Sequence, residues 1–156
     1  MYWSKGGSDG SLSRAVMDGS ELVVLVPRIN EPRGVQIDFQ ESRLYWASAG
    51  DKTIESSDLD GQNRLVVARL PEDSWPQGLA ILGDSIFWSD HYSGKLEQSF
   101  KSGPEINTLV KNEHDIKHLT LVPDPGLPNG VGNLCAHRNC SIVCVLTSFS
   151  SWRCLP

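Results

Sequence analysis

The residues able to do chemistry in this 156-residue sequence are four histidines (His91, His114, His118, His137) and four cysteines (Cys135, Cys140, Cys144, Cys154). Serine and aspartate are plentiful, so a nucleophile–base–acid triad can be assembled on paper. The local contexts that would support one are missing. No G-x-S-x-G elbow presents a serine on a strand-to-helix turn. No phosphate loop, dinucleotide fingerprint or H-E-x-x-H pair occurs. The acidic residues are spread along turn-like stretches, as on a solvated surface. The reading is therefore non-catalytic and without a cofactor.

Charge and hydropathy narrow the partners. There are 14 Lys and Arg against 19 Asp and Glu, a net charge of −5. Binding a nucleic acid backbone needs clustered positive charge, so no nucleic acid partner is expected. The longest aliphatic run covers residues 22–26. A bilayer span needs about 20 apolar residues, so membrane contact could come only through a segment this chain does not contain. No basic n-region or apolar h-region marks a signal peptide. All four cysteines lie between 135 and 154. Cysteine that dense indicates an oxidising compartment. The two facts together predict a piece of an extracellular chain whose leader lies upstream. Zinc is a rival reading for the four cysteines plus His137, weakened by the absence of a C-x2-C pair. Asn139-Cys140-Ser141 is a formal glycosylation sequon.

The elements that would position these residues form a repeat. Tyr2-Trp3-Ser4, Tyr45-Trp46-Ala47 and Phe87-Trp88-Ser89 recur at spacings of 43 and 42 residues. Each is followed in near-constant phase by an aliphatic residue (Leu12, Ile54, Leu96), a small one (Ala15, Ser57, Ser99) and a glycine (Gly19, Gly61, Gly103). Asp18 and Asp60 precede the first two glycines and Ser102 the third. Pro32-Arg33-Gly34 and Pro76-Gln77-Gly78 precede the second and third aromatic pairs. Short strands are predicted at 22–26, 34–39, 44–46, 53–58, 65–68, 78–82, 86–88 and 106–110, with no major helix. Four short strands in about 42 residues is the size of one propeller blade. The tryptophans are expected between blades, and the glycines at turns that need a positive φ.

These residues resemble the YWTD repeat (class B repeat) of the low-density lipoprotein receptor family. The matched pattern is an aromatic-Trp start, then aliphatic-x-x-small-x-x-Asp-Gly, then Pro-x-Gly-aliphatic, over about residues 1–122. The resemblance implies an all-β chain with a partial propeller, about three of six blades. Residues 114–122 would form the strand that closes the ring. The missing blades would lie upstream, and half a ring with open edges should self-associate or be poorly soluble. At the fourth motif position Lys5 and Ser48 replace the family aspartate, which Asp90 keeps. In the family that carboxylate bonds to neighbouring-blade backbone, so the first two joints are expected to be weaker.

Residues 123–132 read as a Pro-rich linker and 133–156 as the start of a module resembling the epidermal-growth-factor-like domain. Its C-x4-C-x3-C-x9-C order matches the first four cysteines of that domain. The resemblance implies bridges Cys135–Cys144 and Cys140–Cys154, whereas sequence alone allows three connectivities. The family has two further cysteines, so the module is truncated. A bridge at Cys140 argues against a glycan on Asn139. Gly132-Asn133-Leu134 lacks the acidic residues of the calcium-binding variant, so no calcium is expected.

The resemblance implies part of an endocytic receptor ectodomain on the cell surface and in the secretory and endosomal pathway. Its partners would be a protein or lipoprotein ligand, or neighbouring modules of the same receptor. His91, His114 or His118 would then be candidates for an acid switch, against the plainer reading as surface or packing histidines. A signalling co-receptor propeller that binds a secreted protein, and a matrix adhesion module, are the alternatives. A secreted propeller hydrolase is the enzymatic one.

Overall fold

The computed structural model describes residues 1–103, 105–113, 116–120, 143–148 and 151–155, the last two stretches as backbone. Regular structure among the described residues is all strand. Blade 1 holds β1 (Tyr2–Lys5), β2 (Gly10–Arg14) and β3 (Val23–Ile29). Blade 2 holds β4 (Pro32–Asp38), β5 (Arg43–Ser48), β6 (Thr53–Asp58) and β7 (Leu65–Arg69). Blade 3 holds β8 (Pro76–Leu82), β9 (Ser85–Asp90), β10 (Lys95–Phe100) and β11 (Asn107–Val110). Each blade is an antiparallel meander in chain order. A separate hairpin pairs β12 (Val143–Ser148) with β13 (Ser151–Leu155).

The aromatic pairs sit on β1, β5 and β9, which are therefore equivalent strands. Side chains alternate across a strand, so the two aromatics of a pair face opposite ways. Trp46 and Leu44 pack with Leu12, Val26 and Ile29 of blade 1. Tyr45, Ala47 and Ile54 pack with Leu79, Ile86 and Trp88 of blade 3. Each tryptophan thus faces the preceding blade, and the cores lie between blades. Trp46 and Trp88 are fully buried. Truncating either to alanine would cost about 3–5 kcal/mol. Trp3 is only half-buried.

The Pro-x-Gly elements set the spacing of the inner strands. A Cβ on Gly34 of β4 would lie 2.8 Å from the backbone N of Leu79 on β8. A Cβ on Gly78 of β8 would lie 2.9 Å from the backbone N of Leu119. Glycine at these positions is thus a matter of close backbone approach, and the row β4, β8, 116–120 continues with one offset. Gly19 and Gly61 have φ of 85° and 86°, as expected of their turns. Gly103 lacks a positive φ, so that expectation fails for the third copy, where serine replaces the aspartate before the glycine.

Five strands were not predicted from the sequence: β1, β2, β10, β12 and β13. Gly10-Ser-Leu-Ser-Arg and Lys95-Leu-Glu-Gln-Ser-Phe hold few β-branched residues, and burial comes from tertiary contacts rather than local pattern. A bulge follows the aliphatic residue of every repeat, at Leu12/Ser13, Ile54/Glu55 and Leu96/Glu97. The strand expected over 114–122 is not formed over residues 116–120. They hold the place of an inner strand, but no ladder partner stands beside them among the described residues. His114 and residues 121–122 lie outside those described, as do Cys135, His137, Asn139 and Cys140.

Candidate functional site

Several buried polar groups lie at the joints between blades. In the joint between blades 2 and 3, Trp88 Nε1 donates to Glu97 Oε2 at 3.0 Å, across the register pair of β9 and β10. Burial raises the Glu97 carboxyl, and the Trp88 bond opposes that only in part. Trp46 and Glu55 occupy the same register in blade 2. There Glu55 instead accepts from Arg64 Nε at 2.5 Å, Arg64 Nη2 at 3.1 Å and Thr53 Oγ1 at 2.9 Å. Trp46 Nε1 is left buried without an acceptor. The Arg64 guanidinium lies 5.7 Å from the Trp46 ring centre. Arg64 also lines an open cleft of about 570 Å³ with Asp51, Thr53, Val66 and Arg69.

The lower ends of blades 2 and 3 are held by charge. Lys101, in the turn after β10, bonds the Asp38 carboxylate and lies 3.2 Å from Glu41 Oε1. Burial pushes the Asp38 carboxyl up, yet Lys101 and the N–H groups of Gln40 and Glu41 outweigh it, and the net shift is downward. Lys101 is raised because its two carboxylates overcome desolvation. Tyr45, beneath Lys101, is pushed up to about 12 by burial and then by Glu41. The joint between blades 1 and 2 uses neutral acceptors. Tyr2 Oη donates to Leu59 O at 3.3 Å and Ser4 Oγ to Arg33 O at 3.0 Å.

The upper rim is formed by the ends of β5, β7 and β9 and the starts of β4, β6 and β8. Asp90, buried there, accepts from Trp75 N at 2.7 Å and from Ser93 N and Oγ at 2.8 and 2.9 Å. The backbone it binds is the connector from blade 2 into its own blade. In blade 2 the pair is exchanged. Ser48 Oγ lies 2.9 Å from Asp51 Oδ2 and 3.0 Å from Asn30 O. The expected weakening at Ser48 is thus offset by a carboxylate three residues on, which the sequence reading missed. An exchange of Asp-x-x-Ser for Ser-x-x-Asp at a 42-residue spacing was the signal available.

Fixed by these brackets, an aromatic cluster stands out on the upper rim. Trp75 is half-buried and its ring centre is 5.3 Å from that of Tyr92, which is 64% exposed. Lys52 Nζ sits 4.4 Å from the Trp75 ring centre and Arg33 Cζ 5.8 Å. His91, half-buried, lies 5.6 Å from Tyr92. Arg33 also pairs with Glu31 at 3.0 Å. Of the described histidines, His91 belongs to this cluster. His118 is exposed on the inner row. Trp75, Tyr92 and Lys52 lie in connectors and turns outside the repeated motif, and Arg33 is the variable middle residue of a Pro-x-Gly element, so none was anticipated as a site residue. Cys144 and Cys154 are register partners on the β12–β13 hairpin. No helix among the described residues is long and apolar enough to cross a membrane. No cluster of metal-ligating side chains occurs among them either.

Antiparallel sheets radiating from a row of inner strands, with an aromatic-Trp pair on the second strand of blades 2 and 3 and on the equivalent β1 of blade 1, define a YWTD-type β-propeller. No family model matches the chain. Across 99% of its length it is 29% identical to the vitellogenin receptor of Solenopsis invicta, over 9% of that receptor. Across 89% it is 32% identical to low-density lipoprotein receptor-related protein 5 of Mus musculus, over 9% of that protein. Across 94% it is 30% identical to the vitellogenin receptor Yl of Drosophila melanogaster, over 7%. The structure superposes on a chain of the nidogen/laminin complex with a TM-score of 0.61 and 22% identity, covering 71% of this chain and 43% of that one. It also superposes on luciferin-regenerating enzyme with a TM-score of 0.60 at 16% identity, covering 72% and 40%. The structural matches establish the fold alone. The chain belongs to the low-density lipoprotein receptor family and spans less than a tenth of the length of the curated relatives it matches.

Proposed function

We propose that this chain is a non-catalytic, extracellular propeller segment of an endocytic receptor, which meets a protein ligand through its upper rim. The observation that carries this is the exposed Trp75–Tyr92 pair flanked by Lys52 and Arg33. Aromatic and arginine side chains on a rigid frame are the usual anchors of protein interfaces. The names of two relatives make vitellogenin the first ligand to test. His91 lies in the same cluster, and its protonation in an acidic endosome would add positive charge beside Lys52 and Arg33 and favour release. Residues 133–156 are proposed as the start of an EGF-like module with bridges Cys135–Cys144 and Cys140–Cys154. Its β12–β13 hairpin would carry the third and fourth of these cysteines.

Surface plasmon resonance with the immobilised chain and vitellogenin tests the reading. Trp75→Ala and Tyr92→Ala should each weaken binding by about tenfold or more, a hot-spot loss. Phe39→Ser should not, since Phe39 is exposed on the opposite rim. Binding should fall between pH 7.4 and 5.5, and His91→Phe should remove most of that fall. Equal losses at both rims would sink the proposed face.

A further inference from the structure

We propose that the cleft beside Arg64 and Arg69, on the outer part of blade 2, binds an acidic peptide, and that its occupation turns Glu55 from Arg64 to the ring N–H of Trp46. The open cleft of about 570 Å³ is lined by Asp51, Thr53, Glu55, Arg64, Val66 and Arg69. It shares no residue with the rim cluster. A volume of that size suits a few residues of a peptide. Asp51 is turned to Ser48 Oγ at 2.9 Å, and Glu55 holds Arg64. No acidic side chain among the described residues pairs with Arg69. Once Glu55 turns inward, two guanidiniums face one carboxylate in the cleft, on a chain whose net charge is −5. A guanidinium fork matches a carboxylate with two parallel bonds.

The inward partner is already in place. Trp46 pairs with Glu55 across β5 and β6, and Glu55 with Val66 across β6 and β7. Trp88, Glu97 and Thr108 make the same row in blade 3, and there the glutamate accepts from the tryptophan at 3.0 Å. The chain therefore shows both arrangements of one register pair. What differs is the residue just before the outer strand. In blade 3 it is Ile106, packed against the core between blades 2 and 3, and in blade 2 it is Arg64. Isoleucine leaves Glu97 to Trp88. Arg64 draws Glu55 away, and Trp46 Nε1 stays buried without an acceptor.

The exchange has a compensating gain. A buried donor left unmet carries a desolvation penalty, which the inward turn of Glu55 removes. Arg64, whose side chain is 37% exposed, can meet water or a ligand when Glu55 leaves it. A ligand shifts such an equilibrium by its preference for one arrangement. A peptide carboxylate on Arg64 competes with Glu55 and so favours the inward one. The coupling is reciprocal, and a change at Trp46 must alter the affinity for peptide.

The probe is tetraglutamate capped at both ends, with capped tetraserine and sodium chloride of equal ionic strength as controls. The readout is the heteronuclear NMR spectrum of the chain, in which the Trp46 ring N–H is assigned by its loss in Trp46→Phe. Tetraglutamate should move that resonance downfield toward the hydrogen-bonded Trp88 position, and neither control should. Arg64→Ile should place it there without peptide and weaken peptide binding by about tenfold or more. Trp46→Phe, a change in the core, should weaken binding by about fivefold or more. If Arg64→Ile does not fold, Arg69→Met decides, with binding weakened about threefold and the Trp46 resonance of the free chain unmoved. A Trp46 resonance indifferent to tetraglutamate, or moved equally by salt, would overturn the proposal. So would an Arg64→Ile resonance at the parent position, full affinity in Trp46→Phe, or full affinity in Arg69→Met.

Discussion

Lys101→Met tests whether the joint between blades 2 and 3 depends on its buried charges. Lys101 and Asp38 have side chains 10% and 6% exposed, so neither charge is well solvated. Breaking a buried ion pair by removing one partner costs about 3–5 kcal/mol. Asp38 keeps two backbone donors, Gln40 N at 2.9 Å and Glu41 N at 3.3 Å, which hold part of the loss. Each such bond contributes on the order of 1 kcal/mol, so the expected cost is about 2 kcal/mol. Glu41 is largely solvated and adds little. For a domain of this size that is roughly 6–10 °C in Tm. Urea unfolding at one fixed protein concentration measures it, and a cycle with Asp38→Asn should return a coupling of about 1–2 kcal/mol. The pH dependence has a definite sign. Asp38 is depressed in the folded state, so its stabilisation is present above the unfolded value of about 3.9 and is lost as pH falls through the folded one. Lys101 is raised, so its share is present below about 10.4 and is lost only as pH rises beyond that. The gap between parent and variant should be flat through neutrality and shrink in strong acid. A cost under about 0.5 kcal/mol, the scale of an ordinary surface substitution, would refute the reasoning. So would a gap unchanged in strong acid.

The two equivalent tryptophans should respond differently to loss of the ring N–H. Trp88→Phe strands the buried Glu97 carboxylate and should cost about 1–3 kcal/mol more than Trp46→Phe, whose N–H has no acceptor to lose. Chemical denaturation of both variants measures the difference. Glu97 is raised by burial, so its favourable share is full below the unfolded value of about 4.3 and is lost as pH rises through the folded one. Glu97→Gln should therefore unfold at a higher urea midpoint relative to the parent at neutral pH than in acid, and a pH-independent difference would contradict this. Ser48→Asp alone sets two carboxylates against each other and should cost about 1–2 kcal/mol. Adding Asp51→Ser should recover most of that, as read by Tm.

The repeat was legible because each copy spends its largest side chains on the same task. Tyr45-Trp46 and Phe87-Trp88 are aromatic for burial between blades, and Pro-x-Gly is fixed by the close passage of inner strands. What stayed hidden depends on partners distant in sequence. β10 has a polar sequence, and its buried Glu97 is matched by the Trp88 N–H of the preceding strand. Residues 116–120 look like a strand and stand in an inner-strand position, yet they form no ladder among the described residues. The rim cluster is less legible still, since Trp75 and Tyr92 sit in turns that the repeat leaves free to vary.

The exchange of Ser48–Asp51 for Asp90–Ser93 marks the limit of motif reading. A position-by-position comparison scores Ser48 as a lost aspartate, while the bond is a property of two positions and survives with donor and acceptor swapped. The joints diverge more deeply than their rims. Blade 1 reaches blade 2 through the Tyr2 and Ser4 hydroxyls and the Arg14 guanidinium, all donating to backbone carbonyls of Leu59 and Arg33. Blade 2 reaches blade 3 through the carboxylates of Asp38 and Glu41 on Lys101, and the Asp38 carboxyl is held below its ordinary value. Acid therefore acts on one joint and spares the other. Under strong acid the propeller should open first between blades 2 and 3, with hydrogen exchange rising around 38–41 and 101 before it rises around 59. The reverse order would mean that the charges are not what holds that joint.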